Sequence, residues 1–184
     1  MTVNRQSKRS KRGRKVSKTS RKPISAYVER RLWAESAGKC MNPDCRADLF
    51  ISNGDIAERA HIVPYCESAE NTFDNLILIC PNCHTNFDKN SAFTADEVRK
   101  WKSIRHAEID RVFGKTFSSF DDLRKEAAPL LARNKSIYEN YYMKDKRKLW
   151  DVFEKEIIVN NRKLCTMFES NLCLFQNHKD NSFS

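Results

Sequence analysis

Cys40-Met41-Asn42-Pro43-Asp44-Cys45, Glu58-Arg59-Ala60-His61-Ile62-Val63-Pro64 and Asn75-Leu76-Ile77-Leu78-Ile79-Cys80-Pro81-Asn82-Cys83-His84-Thr85-Asn86-Phe87-Asp88 are the stretches on which the reading of this chain turns. Two short loops each present a pair of cysteines, Cys40 with Cys45 and Cys80 with Cys83. That is the form of a four-thiolate zinc site, because a short loop delivers two sulfurs together and thiolates bind zinc tetrahedrally. Asn42 and Pro43 supply turn chemistry between the first pair. Leu76 to Cys80 is a short apolar run suited to a buried strand. Pro81 suits the first turn of a helix that carries Cys83, His84, Phe87 and Asp88. On that helix His84 and Asp88 are four residues apart and share a face.

Working outward, Pro23 to Gly38 reads as a helix, with Ser25 to cap it, Val28 and Leu32 on one face beside Trp33, and Gly38 to end it. Leu49-Phe50-Ile51 reads as a short strand, Asn53-Gly54 as a hairpin turn, and Ile56 to Ile62 as the returning strand, ended by Pro64. Residues 64–75 read as a polar loop. Thr94-Ala95-Asp96-Glu97 is a capping box that starts a helix, on which Val98, Trp101, Arg105, Ile109 and Val112 recur at helical spacing until Gly114. A further helix starts near Ser119 and is expected to be disturbed at Pro129. From Ser136 to Ser170 one long helix or two are expected. Leu149, Phe153, Ile157, Asn160, Leu164 and Phe168 form a stripe there, widened by Tyr138, Tyr141, Tyr142 and Trp150. The stripe suits packing onto the body of the protein, or a seam for a partner.

Charge is unevenly placed. The chain holds 34 Lys/Arg against 24 Asp/Glu, and ten of the bases and none of the acids lie in residues 1–22. The remainder is balanced, so the net +10 belongs to the tail. Arg5, Lys8, Arg9, Lys11, Arg12, Arg14 and Lys15 are its candidate DNA-binding residues. The tail lacks the apolar side chains to fold alone and suits either a solubility role or attraction to nucleic acid. Were all ten charges to meet phosphates, affinity would fall with salt at a log–log slope near roughly −9. No apolar run approaches a membrane span or a signal peptide, so a cytoplasmic protein is expected, in which cysteines serve metal binding rather than disulfides. Cys66, Cys165 and Cys173 have no partner spacing and read as free thiols, the last two as apolar residues on a helix face.

The central stretch also carries chemistry. Phosphodiester hydrolysis needs a base for water, a Lewis acid for the developing charge, and fixed geometry. His61, at a strand end before a loop, can take a proton from water. His84 and Asp88 offer one nitrogen and one carboxylate and leave open positions, a set suited to Mg²⁺ or Mn²⁺, although the histidine also admits Zn²⁺ or Ni²⁺. The Asn75 amide can bond loop backbone and hold the strand of His61 in register.

His61, Asn75 and His84, set within the two cysteine pairs, resemble an HNH endonuclease of the zinc-braced ββα-metal type, over about residues 24–90. The ordered elements Ala60-His61-Ile62-Val63-Pro64, Asp74-Asn75-Leu76 and Cys80-Pro81-Asn82-Cys83-His84 carry the resemblance. It implies cleavage of DNA with His61 as general base, Asn75 as orienting residue, His84 and Asp88 on the catalytic metal, and the short helix directed toward the minor groove. One departure stands out. Such motifs often place an acid or a histidine directly before the base, as a further ligand, and here that position is Ala60. Glu58 shares Ala60's strand face and is the candidate replacement; a surface or salt-bridged role is its alternative.

The expected fold is α+β: a basic tail (residues 1–22), a small ββα-metal nuclease core with a four-cysteine zinc site (23–114), and a mostly helical C-terminal region (115–184). The expected function is a metal-dependent endonuclease. By analogy it would be the nuclease subunit of an anti-phage defence complex, docked through its C-terminal helices on an ATPase or sensor. The alternative is a zinc-stabilised module that binds nucleic acid or a protein partner without cutting. The sequence does not choose between DNA and RNA.

Overall fold

The computed structural model describes residues 22–52 and 54–175. The tail residues Arg5 to Arg21, Asn53 of the expected turn, and the chain from Gln176 lie outside them.

Helix α1 (Ala26–Ser36) starts where Ser25 Oγ accepts the Val28 N–H, and ends with Ala37 in the left-handed region. Gly38 follows at φ 76°, and a Cβ there would lie 2.8 Å from the Phe50 ring. Both the backbone conformation and the close approach of the ring therefore require glycine. Strands β1 (Phe50–Ile51) and β2 (Gly54–Asp55) form a two-residue-per-strand hairpin. The expected returning strand over 56–62 does not continue this pairing. The Ile56 N–H still donates to the Leu49 carbonyl, and the chain turns away after it, with the Asp55 carboxylate accepting the Ala57 N–H. β3 (Glu58–His61) then pairs antiparallel with β4 (Leu76–Ile79), setting Glu58 opposite Ile79 and His61 opposite Leu76. All four β4 side chains are fully buried, which accounts for its unbroken apolar run.

Between these strands the expected loop contains a short helix, α2 (Tyr65–Ser68), closed by Ala69 in the left-handed region. One turn of mixed residues leaves no periodicity to read. Helix α3 (Pro81–Asp88) has Pro at its first position. Helix α4 (Ala95–Phe113) has the full capping box at Thr94 and Glu97 and ends at Gly114.

Helix α5 (Phe120–Ile137), capped by Ser119, passes through Pro129 without ending there. Pro129 and Lys125 both lie on the exposed face, so water can serve the carbonyl that the proline leaves without a donor. A π-helical turn (Tyr138–Tyr142) leads to α6 (Arg147–Glu169).

One core joins α1, β3, β4, α4 and Val159 of α6; a second joins Leu123 and Ala127 of α5 to Leu164 and Met167 of α6. Helix α6 packs on α1, α4 and α5. Its stripe accordingly turns inward over most of its length: Asn160 and Leu164 are buried, Phe153, Ile157 and Phe168 half-buried, and Leu149 alone exposed. Cys165 and Cys173 are exposed thiols rather than packed helix-face residues, and Cys66 is exposed as well. Among the described residues no helix is long and apolar enough to cross a membrane.

Candidate metal centre and catalytic groove

The four cysteines converge. The sulfurs of Cys40, Cys45, Cys80 and Cys83 all lie within 4.8 Å of one another, with Cys45 and Cys80 Sγ at 3.7 Å. Zinc–sulfur bonds of 2.3 Å in a regular tetrahedron set sulfurs about 3.8 Å apart, so the arrangement fits zinc closely. Local structure makes the cradle. Asn42 Oδ1 accepts the Asp44 N–H, and the Asn42 carbonyl accepts from Cys45 and Arg46. Arg46 adopts the left-handed region, and its Nη1 donates back to the carbonyls of Cys40 and Met41. Glu108 on α4 pairs with Arg46 at 2.8 Å, which ties the loop to that helix. The Met41 N–H donates to the Leu78 carbonyl and joins the loop to β4.

Two N–H groups already point at sulfur: Cys80 N–H at Cys40 Sγ and Asn42 Nδ2 at Cys83 Sγ, both at 3.3 Å. Burial pushes the Cys40 thiol well up, and that of Cys83 up to about 11. Burial opposes ionisation of Cys80 too, but hydrogen bonds from the Cys83 backbone and the neighbouring thiols outweigh it and bring Cys80 down. Buried sulfurs of this kind ionise readily only beside a dication, which is what a bound zinc provides.

The second constellation is open. His61 closes β3, and Glu58 begins it, about 10 Å away along the strand. Because Glu58 is opposite Ile79, it lies where β4 hands over to α3, one turn from His84. Glu58 Oε2 is 3.8 Å from His84 Nδ1, and Asp88 Oδ2 is 3.0 Å from His84 Nε2. The imidazole therefore stands between two carboxylates, each half-exposed. His61, Glu58, His84 and Asp88 line one open groove of about 590 Å³, with Arg59 and Tyr65 along its wall. The two histidines thus face the same space. Ala60 is fully buried and is not among the residues that line the groove.

Asn75 is buried and uses its amide fully. Its Oδ1 accepts the Val63 N–H at 2.8 Å, while Nδ2 donates to Val63 O, Ser68 Oγ and Glu70 O. Its backbone carbonyl accepts from Ile62 N–H. One side chain thus fixes the turn that follows His61.

Residues 40–89 match the HNH endonuclease family. The matched segment contributes β3, β4 and α3 to the first core and includes all four cysteines of the potential zinc site. No match is found among curated proteins or among solved structures.

Several residues that shape the HNH groove carry no spacing signal. Asn71 Oδ1 lies 2.8 Å from His61 Nε2. Tyr65 sets its ring edge-on to the imidazole. Lys102 donates to the carbonyls of Phe73 and Leu76, on either side of Asn75. Single polar residues in a loop, or a lysine on a distant helix, acquire such roles only when the chain is folded.

Proposed function

We propose that the protein is a metal-dependent endonuclease that hydrolyses phosphodiester bonds in DNA. The observation that carries this reading is that His61 and the His84–Asp88 pair line one open groove, with Asn75 locking the turn between strand and loop. His84 and Asp88 are the residues that would hold a catalytic Mg²⁺ or Mn²⁺, with Glu58 beside the second ring nitrogen as a further ligand or as a partner that orients the ring. Such an ion supplies Lewis-acid stabilisation of charge on the scissile phosphate. The chain's own part is proton transfer and positioning. Neutral His61 takes a proton from water as the water oxygen bonds to phosphorus; the bond from phosphorus to the leaving oxygen breaks, and that oxygen is protonated from solvent. Asn75 contributes by keeping β3 and the following turn in one geometry.

The choice of DNA rests on the match of residues 40–89 to the HNH endonuclease family and on the ten bases of residues 1–22. Plasmid incubated with the protein and Mg²⁺ or Mn²⁺ should be cut, and His61→Ala should cut roughly 10²–10⁴-fold more slowly. Cleavage at full rate by His61→Ala removes the assignment of the base. No cleavage by the unaltered chain with either ion leaves the HNH domain as a binding module.

A further inference from the structure

The point where the basic tail joins the body is tied to His61. Asn71, on the loop between α2 and β4, sets Oδ1 2.8 Å from His61 Nε2 and donates Nδ2 to the Lys22 carbonyl at 2.6 Å. The Lys22 N–H donates to the Tyr65 hydroxyl at 3.2 Å, and the Tyr65 ring stands edge-on to His61 with centroids 5.3 Å apart. These contacts determine one another's chemistry. A backbone carbonyl only accepts, so the Asn71 atom facing Lys22 is the amide nitrogen and the atom facing His61 is the amide oxygen. That oxygen also only accepts, so His61 Nε2 carries the proton, and the lone pair of the neutral ring lies on Nδ1. Among the described residues Nδ1 has no hydrogen-bond partner.

Building on the nuclease reading above, we propose that Asn71 is a positioning residue for hydrolysis. It holds the His61 ring so that Nδ1 is the nitrogen that takes the proton from water, and Lys22, at the root of the tail, holds Asn71 in turn. Lys22, the last of the ten bases, is thus linked to the general base through Asn71. Phosphates met by the tail belong to the same duplex that enters the groove, and tail engagement and base orientation share one anchor.

Two truncations separate these roles. Removing residues 1–20 strips eight of the ten bases and leaves Lys22; removing 1–23 takes Lys22 as well and spares the cap at Ser25. The shorter deletion should raise KM for plasmid and spare kcat. The longer deletion, and Asn71→Ala in the full chain, should lower kcat by roughly tenfold or more, as loss of a histidine's outer partner does. Tyr65→Phe, which removes the acceptor for Lys22 N–H, should fall between them.

An independent readout needs no cleavage. The His61 Nε2–H proton should be slow to exchange and visible by NMR in the full chain and in the 1–20 deletion. It should be lost to exchange in Asn71→Ala and in the 1–23 deletion. A protected ring proton in Asn71→Ala, or equal kcat in the two truncations, overturns the proposal. Because the NMR measurement holds whether or not the chain cuts DNA, failure here and failure of the nuclease reading are told apart.

Discussion

Cys83 and His84 are adjacent on α3 and serve two sites of opposite character. Cys83 is 5% exposed and belongs to an all-sulfur cluster whose four ligands leave no vacancy. The His84 side chain is 30% exposed, stands between two half-exposed carboxylates, and faces an open groove. Closed four-ligand sites hold folds together, whereas catalytic sites keep a position for substrate. Successive residues on a helix point about 100° apart. Anchoring Cys80 and Cys83 in the sulfur cluster therefore sets the rotation of α3, and that rotation turns His84 and Asp88 toward His61. The buried site determines the geometry of the exposed one, so the two should fail differently.

The largest effect is expected at the sulfur cluster. Cys83→Ser, or removal of zinc by a chelator, should abolish cooperative folding. A structural zinc contributes roughly 10–16 kcal/mol of apparent binding energy, as much as the whole net stability of a typical domain, about 5–15 kcal/mol. Elemental analysis should find one zinc per chain, and a thermal melt followed by circular dichroism should lose its transition in the variant. A Cys83→Ser protein that keeps its zinc and its melt would remove the distinction between the two sites. Substitution one residue later should do the reverse. His84→Ala should keep the zinc and the melt while cleavage falls roughly 10²–10³-fold, the several kcal/mol that a Lewis acid supplies. Loss of zinc from His84→Ala would mean that the two sites share ligands.

The same contrast explains what could be read before folding. The cysteine pairs, the capping box at Thr94 and Glu97, the Ser25 and Ser119 caps and the apolar β4 run are local patterns, and each reappears in place. The HNH domain and the α+β core were legible for that reason. The strand expected over 56–62 is present as β3, but its partner is β4 and not β1, because hairpin chemistry at Asn53-Gly54 is a short-range signal. The partner of β3 is set instead by burial of Ala60 and Ile62 against β4. Asn71 and Lys102 were invisible for a related reason. Their importance lies in which backbone groups they meet, His61 and Lys22 in one case and the flanks of Asn75 in the other, and those meetings span up to 49 residues of chain.

Lys102 offers the finest test, because it belongs to neither site and bonds the backbone on either side of Asn75. Its ammonium lies 3.0 Å from Glu35 Oε2, with the two side chains only 14% and 13% exposed, and 4.0 Å from the centre of the Phe73 ring. Burial pushes the Glu35 carboxyl up and the Lys102 ammonium down, and each partly offsets the other's shift. Removing one member leaves a buried charge unpaired, so Lys102→Met should destabilise by about 3 kcal/mol near neutral pH. The double variant Glu35→Gln with Lys102→Met should recover part of that loss. The pH dependence has a definite sign. Without Lys102 the Glu35 carboxyl rises further above its ordinary value of 4.5. A group raised on folding gives stability that is complete below its unfolded value and is lost as pH climbs through the folded one. The deficit of Lys102→Met should therefore be largest at neutral pH and shrink under mildly acidic conditions, as Glu35 takes up a proton. Denaturant unfolding at the two pH values, with zinc content followed in parallel, measures this. A deficit that neither narrows on acidification nor improves in the double variant would show that Lys102 acts through its hydrogen bonds to the Phe73 and Leu76 carbonyls, and not through its pairing with Glu35.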